Sequence, residues 1–369
     1  MSGAFDIGLA RPADEPDIRA LVGSVVMPGD VAVRFAREPD YFLGTTTMGD
    51  PCDVLVARHA PDGRLAGIAC RAERRSFVNG EEATTGYIGQ IRIAEDFRGN
   101  WLIQRGARIV RDRSPQSLIY LGVIAHDNPR ARGALIERRP PAGLHARRLS
   151  GLTTCAIILR QHWDKRRRTS GDVVVGPASS ALLPQVVSFL RGHGAKRHFF
   201  PAYTLDDFTG GTTLRGLSAE DILIAHRGDR ILGVMAVWDQ AAYKQDIVAG
   251  YGRGVTRIRP AYNAAARLLH ARPLTPVGEA IPLAFGACVS VADDDPAVMH
   301  ALVRAASHHA ADLGKAYLML GFADTDPLLQ VALAWPHITY RSDVYALSWS
   351  VDPAKVLDRR LPYVEVATL

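Results

Sequence analysis

Cysteine, aromatic residues and long apolar runs are all scarce in this chain, and each shortage argues something away. The four cysteines, Cys52, Cys70, Cys155 and Cys288, are isolated among apolar neighbours. No pair has zinc-like or CxxC spacing, so a disulfide framework is not expected, and reduced core thiols in a cytoplasmic protein are. No apolar run reaches the roughly 18 residues that span a bilayer. The opening Met1-Ser-Gly-Ala-Phe-Asp lacks the basic start and apolar core of a signal peptide, so no membrane partner is expected. Aromatics are 7% of residues and do not interleave with the basic runs, so nucleic acid is not an expected partner either. A Gly-x-Ser-x-Gly nucleophile elbow, a P-loop and a complete dinucleotide fingerprint are missing. Gly250-Tyr-Gly-Arg-Gly254 follows no strong strand and reads as a loop, part of a basic excursion from Tyr251 to Tyr262. His193, His198, His308 and His309 have no carboxylate or cysteine at ligand spacing, so no metal is expected.

What is present is apolar material for two cores. At 369 residues, 47% hydrophobic and 22% charged, with mean hydropathy near zero, the chain exceeds one typical single-core domain. Its net charge of +6 comes mostly from arginine, concentrated at Arg138-Arg139, Arg147-Arg148 and Lys165-Arg-Arg-Arg168. Such a surplus attracts anions, with a nucleotide cofactor, an acidic carrier protein or RNA as candidates and a solvated linker and surface as the plainer reading.

The most informative stretch runs from Thr84 to Ile103. Tyr87 to Ile93 has the apolar, β-branched alternation of a strand, with Ile91 and Ile93 on one face and Gln90 and Arg92 on the other. A short acidic turn follows, and Arg98-Gly-Asn opens a helix carrying Leu102, Ile103, Ala107, Ile109 and Val110. A helix start that follows a glycine-containing turn leaves backbone N–H groups unpaired beside the positive end of the helix dipole, a setting suited to phosphate.

This stretch resembles motif A of the GNAT superfamily of CoA-dependent N-acyltransferases: Arg or Gln, two variable residues, Gly, one variable residue, then Gly or Ala. Arg98 and Gly99 fit the opening, whereas Trp101 and Ile103 stand where the family has small residues. The resemblance implies acyl-CoA or acetyl-CoA held by Ile91, Arg92, Ile93, Arg98, Gly99, Asn100, Trp101, Leu102 and Ile103, with backbone N–H groups near Ile91 facing the thioester oxygen. Asn128-Pro-Arg-Ala131 resembles motif B, in which Asn128 would contact the pantetheine arm; helix capping is the plainer role. Leu135 replaces the tyrosine that often protonates the leaving thiolate in the family. The family often has a Glu base on its fourth strand. Here Gln90 and Arg92 occupy the inward positions, so His126, at the end of the next strand, is the acid–base candidate by residue type, with an exposed loop histidine as the alternative.

Read in order, residues 5 to 160 follow the family's arrangement of strand, two helices (the second, over Val31 to Leu43, a helix or a broken helical segment), a hairpin at Pro61-Asp-Gly-Arg, then alternating strands and helices. Ser117 to Ala125 is a continuous apolar run, the mark of a central strand. The second half repeats the first: Asp53-Val-Leu-Val-Ala with its hairpin matches Asp221-Ile-Leu-Ile-Ala, and Ile119-Tyr-Leu matches Ala316-Tyr-Leu, in the same order. The expected fold is therefore α/β (α+β): two tandem GNAT-like domains, each a mixed, mainly antiparallel sheet flanked by helices. Residues 1–160 would form the first, 161–171 a basic linker and 172–369 the second. The second domain's turn carries Asp293-Asp-Asp295 where a pyrophosphate would sit, so it is read as a structural or substrate-shaping partner.

Three functions fit this reading. The first is a cytoplasmic N-acyltransferase moving an acyl group, acetyl included, from acyl-CoA or an acyl-carrier protein to a small amine acceptor held between the domains. The second is an aminoacyl transferase similar to the tRNA-dependent Fem-type enzymes. The third is a non-catalytic protein that binds an acyl thioester.

Overall fold

A computed structural model describes residues 4–27, 29–99, 101–114, 118–159, 172–268 and 272–369; the 161–171 linker and Asn100 lie outside them. In the first half the strands are β1 (Phe5–Leu9), β2 (Val26–Met27), β3 (Val31–Ala36), β4 (Cys52–His59), β5 (Leu65–Val78), β6 (Glu81–Ile93), β7 (Tyr120–Ala125) and β8 (His145–Ile158). The helices between them are α1 (Glu15–Ser24), α2 (Tyr41–Thr45), α3 (Leu102–Arg113) and α4 (Pro129–Arg132). The second half has β9 (Val174–Pro177), β10 (Ile222–Arg227), β11 (Arg230–Trp238), β12 (Gln245–Tyr251), β13 (Leu283–Val291), β14 (Tyr317–Ala323) and β15 (His337–Ser348). Its helices are α5 (Leu183–Gly194), α6 (Leu205–Thr209), α7 (Arg253–Leu268), α8 (Pro296–Asp312), α9 (Leu329–Leu333) and α10 (Pro353–Val356).

Twelve strands form one sheet in the order β1-β4-β5-β6-β7-β15-β8-β14-β13-β11-β10-β9. Read inward from either edge, each half contributes five strands in chain order. At the centre the last strands change places: β15 inserts between β7 and β8, while β8 pairs with β14. The sheet is mainly antiparallel; among the described residues its parallel strand pairs are β6–β7 and β13–β14. A second sheet, β12-β3-β2, ties the halves together away from the main one.

Helices cover both faces. α8 buries Val298, Met299, Leu302, Val303, Ala306 and Ala310 in a core shared with β10, β11 and β14. α5 packs Val186 and Leu190 on the opposite face. In the first half α1 places Ile18, Leu21 and Val22 against β4 and β5. Its α3 buries only Leu102 and Val110, so it is anchored far more lightly than α8, its topological counterpart.

Three expected elements take another form. Val31 to Leu43, expected to be helical, is strand β3 followed by the short α2, because Val31 to Ala36 find a ladder partner in β12 some 200 residues later in sequence. The Gly250–Gly254 loop is instead the end of β12 and the start of α7, with Thr256 Oγ1 donating to Tyr251 and Gly252 carbonyls at the junction. The helix expected to open at Arg98 begins at Leu102, after a 3₁₀ turn at Glu95–Phe97.

Candidate functional site

The parallel pairing of β6 with β7 is short. It runs from Gly86↔Tyr120 to Ile88↔Gly122, beyond which no pairing joins the two strands. At that point β6 bulges: Ile68 of β5 faces Arg92 and Cys70 faces Gly89, so Gln90 and Ile91 both oppose Ala69. Gln90 takes the left-handed conformation this requires, at φ +53°. Gly89 is needed here because the Tyr87 ring lies across it; a Cβ would come within 2.1 Å of the Tyr87 hydroxyl. The result is a wedge between β6 and β7. Its open side carries Gln90 to Ile93, and no side chain among the described residues bonds the N–H of Gln90 or Ile91.

The wedge leads into the turn before α3. Arg98 is exposed and its Nη1 lies 3.1 Å from Glu95 Oε1. Gly99 has φ +89° with open space where a Cβ would stand. Trp101, at φ +58°, is 56% exposed, with the Arg139 guanidinium 4.9 Å over its ring. It therefore stands out from the turn. Leu102 is buried against Phe5 and Phe97, and Ile103 is half-buried.

Across the wedge, at the tip of β7, the His126 ring is largely exposed, with Nδ1 3.2 Å from Asp343 Oδ2. Asp343 comes from β15, so the exchanged strand supplies the histidine's partner. Burial opposes ionisation of Asp343, but hydrogen bonds from Arg148 and His126 outweigh it and hold the carboxyl below its ordinary range. Asn128 Oδ1 accepts from Ala131 N–H at 3.0 Å and caps α4. The structure thus gathers Gln90, Ile91, Arg92 and Ile93 at the bulge and Arg98, Gly99, Trp101, Leu102 and Ile103 at the turn and helix start. His126 and Asn128 stand apart on the other lip, and no hydrogen bond among the described residues joins them to the bulge.

Of the deeper polar groups only Gln90 and Arg92 were legible in the sequence. Gln90 Oε1 and Arg92 Nε are buried with no hydrogen-bond partner, as is Asp246 Oδ1 of β12. Arg92 and Arg37 each lie 5.5 Å from the centroid of the Phe35 ring on β3. Burial lowers the pKa of both arginines. Burial, and then the nearby Arg37, pull Lys244 down to about 7; its Nζ donates to the Ala367 carbonyl at 3.0 Å and to a main-chain oxygen of Leu369, the last residue, at 2.8 Å. Only the pairing of β3 with β12 brings these groups together.

The second half repeats the wedge and then closes it. β13 and β14 pair from Leu283↔Tyr317 to Phe285↔Met319 and then part, with Cys288 at φ +53° in the matching bulge. Here the bulge N–H groups are taken: Cys288 N–H donates to Glu365 Oε2 at 2.8 Å and Val289 N–H to the Tyr363 hydroxyl at 3.2 Å. Above this plug a cavity of about 320 Å³ is lined by residues including His193, Arg197, Phe200, Asp294 and Leu328. The acidic turn is neutralised within the fold, Arg197 reaching both Asp294 and Asp326 at 2.9 Å. Among the described residues no group of three or more His, Cys, Asp or Glu side chains is placed to hold a metal.

No protein-family model and no curated protein matches the sequence. Solved structures do. Saccharomyces cerevisiae N-myristoyltransferase with bound myristoyl-CoA superposes with a TM-score of 0.62 at 10% identity, over 99% of this chain and 90% of that one. A GCN5-related N-acetyltransferase from Sphaerobacter thermophilus gives 0.54 at 14% identity, over 99% and 98%. A GCN5-related glucosamine N-acetyltransferase region of a fungal multi-domain β-N-acetylglucosaminidase gives 0.59 at 12% identity, over 93% of this chain and 38% of that one. Over nearly its whole length, then, this chain is built on the fold of the GNAT proteins.

Proposed function

We propose that this protein is an N-acyltransferase that takes an acyl group from acyl-CoA, bound by the first half, and passes it to a small amine held where the two halves meet. The observation that carries the reading is the asymmetry between the wedges. The second bulge is occupied by Glu365 and Tyr363. The first has N–H groups without side-chain partners, beside a turn and helix start that suit a pyrophosphate. Structural neighbours that are an N-myristoyltransferase, with myristoyl-CoA bound, and an N-acetyltransferase support the donor class.

In this reading the thioester carbonyl lies against the Ile91 N–H, which donates to the oxygen as negative charge grows on it. The amine attacks the carbonyl carbon, the tetrahedral adduct collapses and CoA leaves as thiolate. One proton must leave the amine, and the His126–Asp343 pair at the lip of the wedge is the route assigned to it. Leu135, in the turn Gly133–Glu137, offers no proton to the leaving thiolate, so the thiolate is protonated from solvent. That same absence favours a second reading, a protein that binds acyl thioesters without turnover.

Titration with CoA and acyl-CoAs of increasing chain length tests the donor. Binding to the native state alone should raise stability by about 2.7 kcal/mol at a hundredfold excess over Kd. Release of CoA in the presence of amines separates the transferase from the non-catalytic binder. No response to any acyl-CoA would overturn both readings and turn attention to an acyl-carrier protein or charged tRNA as donor.

A further inference from the structure

We infer that the acceptor is an amine bearing an anionic group, received by Arg37 and Arg92 in the seam beside the first bulge. This inference rests on the transferase reading for the word acceptor but not for the anion site itself. The seam is walled by β6, by α2 and by the small sheet β2–β3–β12. Three cations, Arg37, Arg92 and Lys244, and one carboxylate, Asp246, gather there, both arginines beside the Phe35 ring. The other groups interacting with them are Tyr41, Tyr87 and Cys70, together with Glu365. Glu365 is already engaged by the Cys288 N–H and the Tyr363 hydroxyl, at 2.8 Å each.

The two arginines have no directly bonded carboxylate within the fold. Among the described residues neither Arg37, Arg92 nor Asp246 makes an ion pair within 4.0 Å, while Lys244 is held by main-chain oxygens of Ala367 and Leu369. Arg37, 3% exposed, donates to the carbonyl of its neighbour Ala36 at 2.8 Å; Arg92 Nη1 donates to that of Ile91 at 3.0 Å. Arg92 Nε has no partner, and neither has Asp246 Oδ1. A guanidinium offers five donors, and burying one without a carboxylate is costly. Two other buried arginines avoid that cost: Arg71, 2% exposed, meets Asp53, Glu73 and the Tyr120 hydroxyl, and Arg197 meets two aspartates. The seam departs from this pattern next to the bulge where transfer is placed.

Both guanidinium carbons lie 5.5 Å from the Phe35 centroid, so they are no farther apart than twice that distance. Tyr340 of β15, 40% exposed, lies near enough to Arg92 to interact with its charge and marks the solvent side of the seam. A carboxylate or phosphate set there accepts from the arginines. Gln90 Oε1, the buried acceptor two residues before Arg92, is then free to take an N–H of the amine. The site therefore selects an amine and an anion a few atoms apart.

The test uses the full chain and thermal melting at fixed ionic strength, with N-acetylglycine, its neutral analogue N-acetylglycinamide, and inorganic phosphate as probes against chloride. N-acetylglycine should raise the melting temperature where N-acetylglycinamide does not; a rise with phosphate alone would assign the anion to a phosphate-bearing acceptor. Arg37→Met and Arg92→Met should abolish the rise, and each should melt no lower than wild type in chloride, since an unpaired buried charge has been removed. Equal responses to the acid, the amide and chloride in the wild-type protein overturn the inference without any variant. Acyl-CoA titrated in parallel keeps the two ideas apart. Loss of acyl-CoA binding with an intact anion response sinks the transferase reading alone, and the reverse sinks the anion site alone.

Discussion

Lys244 ties residue-scale chemistry to a measurable stability. Its pKa is pulled from an ordinary 10.5 to about 7, first by burial and then by Arg37. Between those values the unfolded chain binds a proton that the folded chain does not, so stability should rise with pH through that window and fall as pH drops toward 7. Chemical denaturation at a series of pH values should show this slope, and Lys244→Met should flatten it. An unchanged slope in the variant would show that Lys244 is solvated. Arg71 makes the opposite case, a buried cation that is fully partnered. Replacing it by Ala leaves Asp53, Glu73 and the Tyr120 hydroxyl short of a donor, and the expected loss is about 3–5 kcal/mol. At the candidate site, Arg98→Glu places a carboxylate where the pyrophosphate is assigned. CoA affinity should vanish while the melting temperature holds, because Arg98 is exposed and its side chain pairs with the exposed Glu95. If His126 carries the proton, His126→Ala should cut kcat by roughly 10²–10⁴ and leave acyl-CoA binding intact.

Among the elements, α3 and α8 occupy equivalent places and differ in how firmly they are held. α8 is anchored along its length, and Leu302, fully buried between β11 and β14, should cost about 2–5 kcal/mol on truncation to Ala. α3 touches the core at two points, so its amides should exchange with solvent well before those of α8, as hydrogen exchange would report. That lightness suits an element whose first turn receives a ligand. The strand–turn–helix order around Gly86 to Val110 was legible because a change from two-residue to helical spacing marks it locally. The starting residue of α3 was not, since Trp101 in a left-handed conformation delays the helix past Arg98 and Gly99. Val31 to Ala36 was misread for a different reason. Its apolar positions suit either element, and the ladder with β12 decides between them.

For the whole molecule, the exchange of β8 and β15 is the dominant feature. Each half completes its sheet with a strand of the other, and β15 makes ladders with both β7 and β8. Fragments 1–160 and 172–369 made separately should each expose a long unpaired edge and aggregate. Made together they should assemble, and the intact chain should unfold in a single transition. Two independent melting transitions in the intact chain would refute this coupling. The exchange also accounts for the lip of the candidate site, because Asp343, the partner of His126, arrives on β15.

The sequence alone determined what depends on local spacing: the mixed α/β fold class, the wedge-forming strand with its turn and helix, and the recurrence of that order in the second half. The tertiary structure alone decided which wedge stays open, since that depends on a tail 75 residues beyond the second bulge folding back to place Glu365 and Tyr363 on its N–H groups. It also decided where the buried cations lie. Arg37 and Lys244 look like ordinary surface charges along the chain, whereas Arg92 already stands at an inward position of its strand. Long-range strand pairing buries them together, and burial makes an unpaired charge consequential.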